Sequence, residues 1–173
     1  MRLLLIRHAI AEDRARFAKS GHADDLRPLT VEGRKKMRKI AEGIARLVPK
    51  LDLVATSTLV RAVETGQMVA RAYESTGVKS KVKVVEAAEL APGGATGKLL
   101  AWVTRQKAVQ TVALVGHEPE LSTLAGVMLT GDERSLLVLK KGGACLIETD
   151  AGATGKGGKL CWLLTPRQLR NMA

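Results

Sequence analysis

Aromatic rings are almost missing from this 173-residue sequence: two Trp, one Tyr and one Phe, 2% of the chain. Hydrophobic residues nevertheless make up 46%, so a core must be assembled from Leu, Val, Ile, Ala and Met, a palette suited to an α/β fold. The shortage of rings argues against a platform for single-stranded nucleic acid, which needs aromatic faces for base stacking. Cysteine is equally scarce. Cys145 and Cys161 show neither ligand-like spacing nor a disulfide framework, which fits a reducing cytoplasm. Both are expected on neighbouring strands as small buried hydrophobes. No apolar run approaches the roughly 20 residues required to span a bilayer. The apolar start, MRLLLIRHA, is broken by Arg7 and is too short for a signal peptide.

Positive charge, by contrast, is abundant. Lys and Arg number 28 against 17 Asp and Glu, giving a formal net charge of +11. Such a chain attracts anions: nucleic acid, phosphorylated protein or a phosphorylated metabolite. Composition alone does not choose among them. Lys35, Lys36 and Lys39 read either as a solvated helix face or as a patch that steers an acidic phosphoprotein.

Hydrophobic patterning gives the order of elements. RLLLIR (2–7) reads as a first strand, followed by a long polar stretch, HAIAEDRARFAKSGHADDLRP, expected as a functional loop. Thr30 is placed to cap a helix whose apolar positions, Met37, Ile40, Ala41, Ile44, Leu47 and Val48, recur at helical spacing until Pro49. A strand at 51–56, a helix at 59–74, a short strand at 82–86, a helix from 97, a strand at 111–116 and a loop-then-helix follow. The tail reads as a hairpin, GACLIETD and KLCWLLTP around AGATGKGG, closed by a short basic helix. No repeat or linker divides the chain, so residues 1–173 are expected to form one domain. Continuous aliphatic strands alternating with helices predict an α/β fold: a mainly parallel central sheet with helices on both faces and a C-terminal β-hairpin.

Such sheets bind ligands beyond the carboxyl ends of their strands. The first strand ends in Arg7-His8. The second ends in TSTLVRA, with Ser57 at the turn and Arg61 in the first turn of the next helix. The later strand ends in VGHEPE, with Gly116 before His117. If the strands are parallel neighbours, two guanidiniums and two imidazoles converge. Arg presents a fixed fork of donors matched to phosphoryl oxygens, and a helix N-terminus adds backbone N–H groups, so this set predicts a phosphate or other oxyanion site.

These residues also carry a family resemblance. RHAIAE, TSTLVRAVETG and VGHEPELS resemble the motifs of the histidine phosphatase superfamily, and LRPLTVEG, ELAPGG and LKKGG resemble its SixA-type phosphohistidine phosphatases. The resemblance runs from residue 2 to about 165 and implies a phosphoglycerate mutase-like fold. One position departs from it: Ala9 replaces the usual glycine after the first histidine, and its small side chain is expected to fit. Carried over, the resemblance makes His8 the nucleophile that forms a phosphohistidine intermediate. Arg7, Arg61 and His117 become catalytic clamps on the phosphoryl oxygens, with Ser57 also in the substrate-binding set. Arg27 is either a further phosphate ligand or lip residue, or the partner of Asp24 or Asp25 in a salt bridge. Glu89 matches the position where the superfamily often carries a general acid, with Glu86 and Asp24 in reserve; the alternative for Glu89 is a helix cap or surface charge. The implied activity is removal of phosphate from a protein histidine on a histidine-phosphotransfer domain or phosphocarrier, as in two-component signalling.

Other readings are weaker. A phosphatase of a small phosphorylated metabolite would use the same site, although the chain is short for an enzyme that caps a small substrate with insertions. A basic nucleic-acid-binding protein explains the charge but leaves the strand-end Arg/His set unexplained. His22 reads as an ordinary polar residue. Neither HEPE nor HADD has a metal-binding spacing, so no metal and no cofactor is expected. GGATGKL falls short of a P-loop, with Pro92 at the first glycine position and Leu99 at the Ser/Thr position.

Overall fold

The computed structural model describes residues 1–74, 82–106, 108–149 and 156–173. The strands are β1 (Arg2–Arg7), β2 (Leu53–Thr56), β3 (Lys83–Glu86), β4 (Thr111–Gly116), β5 (Ala144–Glu148) and β6 (Lys159–Leu164). The helices are α1 (Arg14–Ala18), α2 (Val31–Leu47), α3 (Val60–Glu74), α4 (Thr96–Thr104), α5 (Glu120–Thr130) and α6 (Pro166–Arg170). The six strands form one sheet in the order β3-β2-β4-β1-β5-β6. The first four of that order are parallel, and β5 and β6 are added antiparallel, so the mainly parallel sheet and the C-terminal antiparallel pair are both present. The glycine-rich connection read between β5 and β6 lies largely outside the described residues.

Helices cover both faces because the central strands are apolar on both. Along β1, Leu4 and Ile6 enter the core under α2, α3 and α6, while Leu3 and Leu5 enter the one under α4 and α5. This is the two-residue alternation of a strand buried twice over. α2 begins where Thr30 Oγ1 accepts a hydrogen bond from Gly33 N–H at 2.8 Å. Gly33 lies so close to the Ile10 carbonyl that a Cβ there would overlap it. That approach joins α2 to the chain leaving β1, as do Thr30 N–H on Ile10 O (3.0 Å) and the bridge between Ala11 and Leu29.

Two expectations need correction. The stretch after β1 is not a plain loop: it contains α1 and a 3-10 turn, Asp24–Leu26. Asp13 caps α1 by accepting from Arg16 N–H at 2.8 Å, but α1 buries no residue, so no periodicity betrays it. Cys145 is buried in β5 as expected, whereas Cys161 is exposed. Trp162 and Leu164 pack towards α2 and α6, while Cys161 and its neighbours Leu160 and Leu163 sit exposed on the edge strand.

Candidate active site

The register of the sheet decides what meets at its carboxyl edge. Arg7 of β1 pairs with Gly116 of β4, and Thr56 of β2 pairs with Val115, so three strand tips end level. The residues just past those tips are locked by backbone bonds: His8 N–H donates to Gly116 O at 3.0 Å, and Ser57 N–H to Val115 O at 2.9 Å. His8 and His117 thereby face each other with ring centroids 5.0 Å apart and planes at 54°. Arg61, in the first turn of α3, is only 2% exposed. These side chains open on a groove of about 520 Å³ lined by Arg7, His8, Arg27, Arg61 and His117, together with Glu118 and Lys141.

Each imidazole is held by one nitrogen. His8 Nδ1 lies 2.7 Å from the Ala9 carbonyl, which can only accept, so Nδ1 carries the proton and Nε2 keeps its lone pair. Ala9 itself fits: it is 3% exposed, and its N–H donates to Thr65 Oγ1 at 3.1 Å. Thr65 Oγ1 in turn donates to the Arg61 carbonyl at 2.7 Å, tying the first turn of α3 to the chain leaving β1. His117 Nε2 lies 3.0 Å from Ser57 Oγ, leaving Nδ1 as the nitrogen available to a ligand. Arg7 donates from Nη1 to the Leu139 carbonyl at 2.8 Å. The Nε atoms of Arg7 and Arg61 are both buried without a protein partner, donors of the kind a bound oxyanion satisfies.

Burial sets the charge state. The His8 pKa is lowered to about 4, chiefly by burial; its bond to the Ala9 carbonyl opposes this, and the nearby Arg61, Arg7 and Lys141 add to it. His117 is lowered to about 3, again mainly by burial, with His8, Arg61 and Arg7 acting in the same direction. Both rings are therefore neutral at pH 7, and the lone pair of His8 Nε2 is unprotonated. The acid limb of kcat/KM is expected near pH 4 rather than near 6.5, because that profile reports the free enzyme. A limb at 6.5 would contradict the buried geometry. The unfolded chain takes up protons on the same rings near 6.5, so folding stability falls as pH drops from 6.5 towards 4.

A profile of the histidine phosphatase superfamily (branch 1) matches residues 3–91, just over half of the chain and including Arg7, His8 and Arg61. The chain belongs to this superfamily. A relative in sequence, an uncharacterized protein from Picosynechococcus sp., is 35% identical over 145 residues, covering 83% of this chain and 82% of its own. Among solved structures, the protein histidine phosphatase SixA complexed with tungstate superposes with a TM-score of 0.78 at 22% identity, covering 98% of this chain and 99% of that one. A putative α-ribazole-5′-P phosphatase from Escherichia coli superposes with a TM-score of 0.72 at 17% identity, covering 96% and 97%. The phosphoglycerate mutase-like α/β fold is thus shared by phosphatases of different substrates.

Within this histidine phosphatase fold, the residues named from sequence divide into those on the groove and those off it. Arg7, His8, Arg27, Arg61 and His117 line it. Arg27 also pairs with Asp24 at 2.8 Å, the salt bridge of its alternative reading. Ser57 is fully buried, with Oγ 3.0 Å from His117 Nε2, and is not among the residues lining the groove. Glu89 does not reach the groove: it sits on a 3-10 turn, Ala88–Leu90, with Oε1 3.7 Å from Arg105 Nη2, and Pro92 from the same loop lines the groove instead. The reserve Glu86 is exposed at the end of β3. His22 lies off the groove with Nδ1 3.0 Å from Ser20 Oγ. Lys36 pairs with Glu32 at 3.3 Å, while Lys35 and Lys39 are solvated on α2; the lysine of the groove is Lys141.

Two features, one on the groove and one buried beside it, escaped the sequence reading. Glu118, next to His117, has its carboxyl pushed up by burial, with Oε2 on Ser122 Oγ and Oε1 buried without a partner. Thr65, four residues after Arg61, joins α3 to β1. Among the described residues no three His, Cys, Asp or Glu side chains converge as metal ligands, and no helix is long and apolar enough to cross a membrane.

Proposed function

We propose that the protein is a phosphohistidine phosphatase that removes phosphate from a histidine of another protein, such as a histidine-phosphotransfer domain or phosphocarrier of two-component signalling. His8 Nε2 attacks phosphorus as the bond from phosphorus to the substrate imidazole nitrogen breaks, and that nitrogen takes up a proton. Water then attacks the phosphoryl group on His8, releasing inorganic phosphate and restoring the imidazole. Arg7, Arg61 and His117 hold the oxygens whose charge is redistributed, and such transfer depends on positioning and charge stabilisation. The observation that carries this reading is the 2.7 Å contact of His8 Nδ1 with Ala9 O, which leaves Nε2 free at the floor of a cationic groove.

Three features favour a protein histidine over a small ester. The superposition with SixA has the higher TM-score, 0.78 against 0.72 for the α-ribazole-5′-P phosphatase. Arg14 on the groove rim is 74% exposed, as suits a site that meets a surface. An imidazole leaves more readily than an alkoxide, which relaxes the need for the general acid that Glu89 does not supply; where a proton donor is needed, Glu118 is the groove carboxyl we assign to it. We place residues 1–173 in one catalytic domain and the enzyme in the cytoplasm, where both cysteines remain free.

Phosphate release from a phosphorylated histidine-phosphotransfer domain, compared with p-nitrophenyl phosphate, tests the assignment. The expected ratio of kcat/KM favours the protein by at least about 100-fold, or about 2.7 kcal/mol of transition-state discrimination. Efficient ester turnover with an inert protein substrate would support a metabolite phosphatase on the same site, the reading that the α-ribazole-5′-P phosphatase neighbour favours.

A further inference from the structure

One carboxylate beside the groove binds three guanidiniums. Asp24 Oδ1 lies 2.8 Å from Arg27 Nε, and its Oδ2 lies 3.2 Å from both Arg14 Nη2 and Arg61 Nη2. Its main-chain carbonyl takes a further bond from Arg61 Nη1 at 2.9 Å. All three arginines line the groove, whereas Asp24 does not. The carboxylate, 38% exposed, thus stands beside the groove, nearer to solvent than Arg27 and Arg61, and is not among the residues that line it.

We infer that Asp24 is a positioning residue for phosphate binding: it fixes the guanidinium planes of Arg61, Arg27 and Arg14 from the side of the groove, leaving their remaining donors for a ligand. A guanidinium has five N–H donors in a rigid fork, and one contact from each terminal nitrogen of Arg61 to Asp24 leaves three donors for a ligand. One of these is the Nε–H that is buried with no protein partner. Without its carboxylate, Arg61 would be a buried cation beside two others, free to turn away from them. The Asp24 pKa is lowered to about 2, mainly by its bond to Arg27, so the counter-charge is present throughout the working pH range. The same contacts tie the segment that carries Arg14 and Arg27 to α3, linking the outer rim of the groove to its floor.

This rests on the phosphate-groove reading but not on the identity of the substrate, so the probes are orthovanadate and p-nitrophenyl phosphate. In Asp24→Asn, which keeps size and removes charge, the inhibition constant for orthovanadate and the KM for the ester are expected to rise at least about tenfold while kcat stays within about threefold. Asp24→Glu, which restores the charge, is expected to recover most of the loss. Asp24→Ser, read by the same criteria, replaces the asparagine variant if that one does not fold. Unchanged or tighter orthovanadate binding in a folded neutral variant would overturn the inference. Loss of the fold in both neutral variants would also overturn it, because the carboxylate would then hold the domain rather than the arginines. Wild-type protein that ignores orthovanadate would instead bring down the groove reading itself, and the inference with it.

Discussion

Replacing His8 by alanine is expected to lower kcat by about 10⁴-fold or more, the scale seen when a covalent nucleophile is removed. The fold should survive the change. The ring is neutral, its Nδ1 contact is to the adjacent Ala9 carbonyl, and the backbone bond from His8 N–H to Gly116 O does not depend on the side chain. Arg7, Arg61 and His117 remain, so the variant should still bind inorganic phosphate to within a few-fold of wild type. That split, turnover lost and phosphate binding kept, separates a nucleophile from a binding residue. Rapid-quench kinetics and phosphate titration check it; residual turnover above about 1% of wild type would contradict the role assigned to His8.

The second large effect is expected at Arg61. Arg61→Ala removes a guanidinium that spans Asp24 on one side and the groove on the other, and should cost about 100- to 1,000-fold in kcat. Arg61→Lys tests the geometry more sharply. A lysine keeps the charge but concentrates it at one point, so it cannot meet the Asp24 carbonyl, the Asp24 carboxylate and a phosphoryl group in the planar arrangement of the fork. Recovery of less than about tenfold relative to alanine is expected in steady-state kinetics. Full recovery would show that only net charge matters at this position.

Why the main chemical groups could be read from sequence is clear from the sheet. Arg7, His8 and His117 follow unbroken aliphatic strands, and parallel strands deliver their carboxyl ends to one edge. Arg61 follows by the same logic, one turn into the helix after β2. The supporting residues follow no such pattern. Thr65 matters because α3 passes β1 at the height of Ala9, a tertiary fact with no periodic trace. Asp24 is one of two adjacent aspartates in a polar stretch, and nothing local distinguishes the one that collects three arginines. Glu118 stands beside His117 in the quoted motif, yet only the placement of Ser122 on the first turn of α5 shows what holds it. Glu89 lies off the groove lining for the complementary reason. A motif position gives sequence distance but not direction, and the 3-10 turn Ala88–Leu90 sends that carboxylate towards Arg105. Cys161 failed because an edge strand need not be covered on both faces.

The most direct test of the account is to trap the covalent intermediate. Wild-type protein is mixed with a radiolabelled phosphohistidine substrate, quenched in alkali, where a phosphoramidate bond survives, and digested for mapping. The account predicts a label on His8 that forms and decays at rates consistent with turnover. It is contradicted if turnover proceeds while the label is found on His117, or if no covalent phosphoenzyme forms at all.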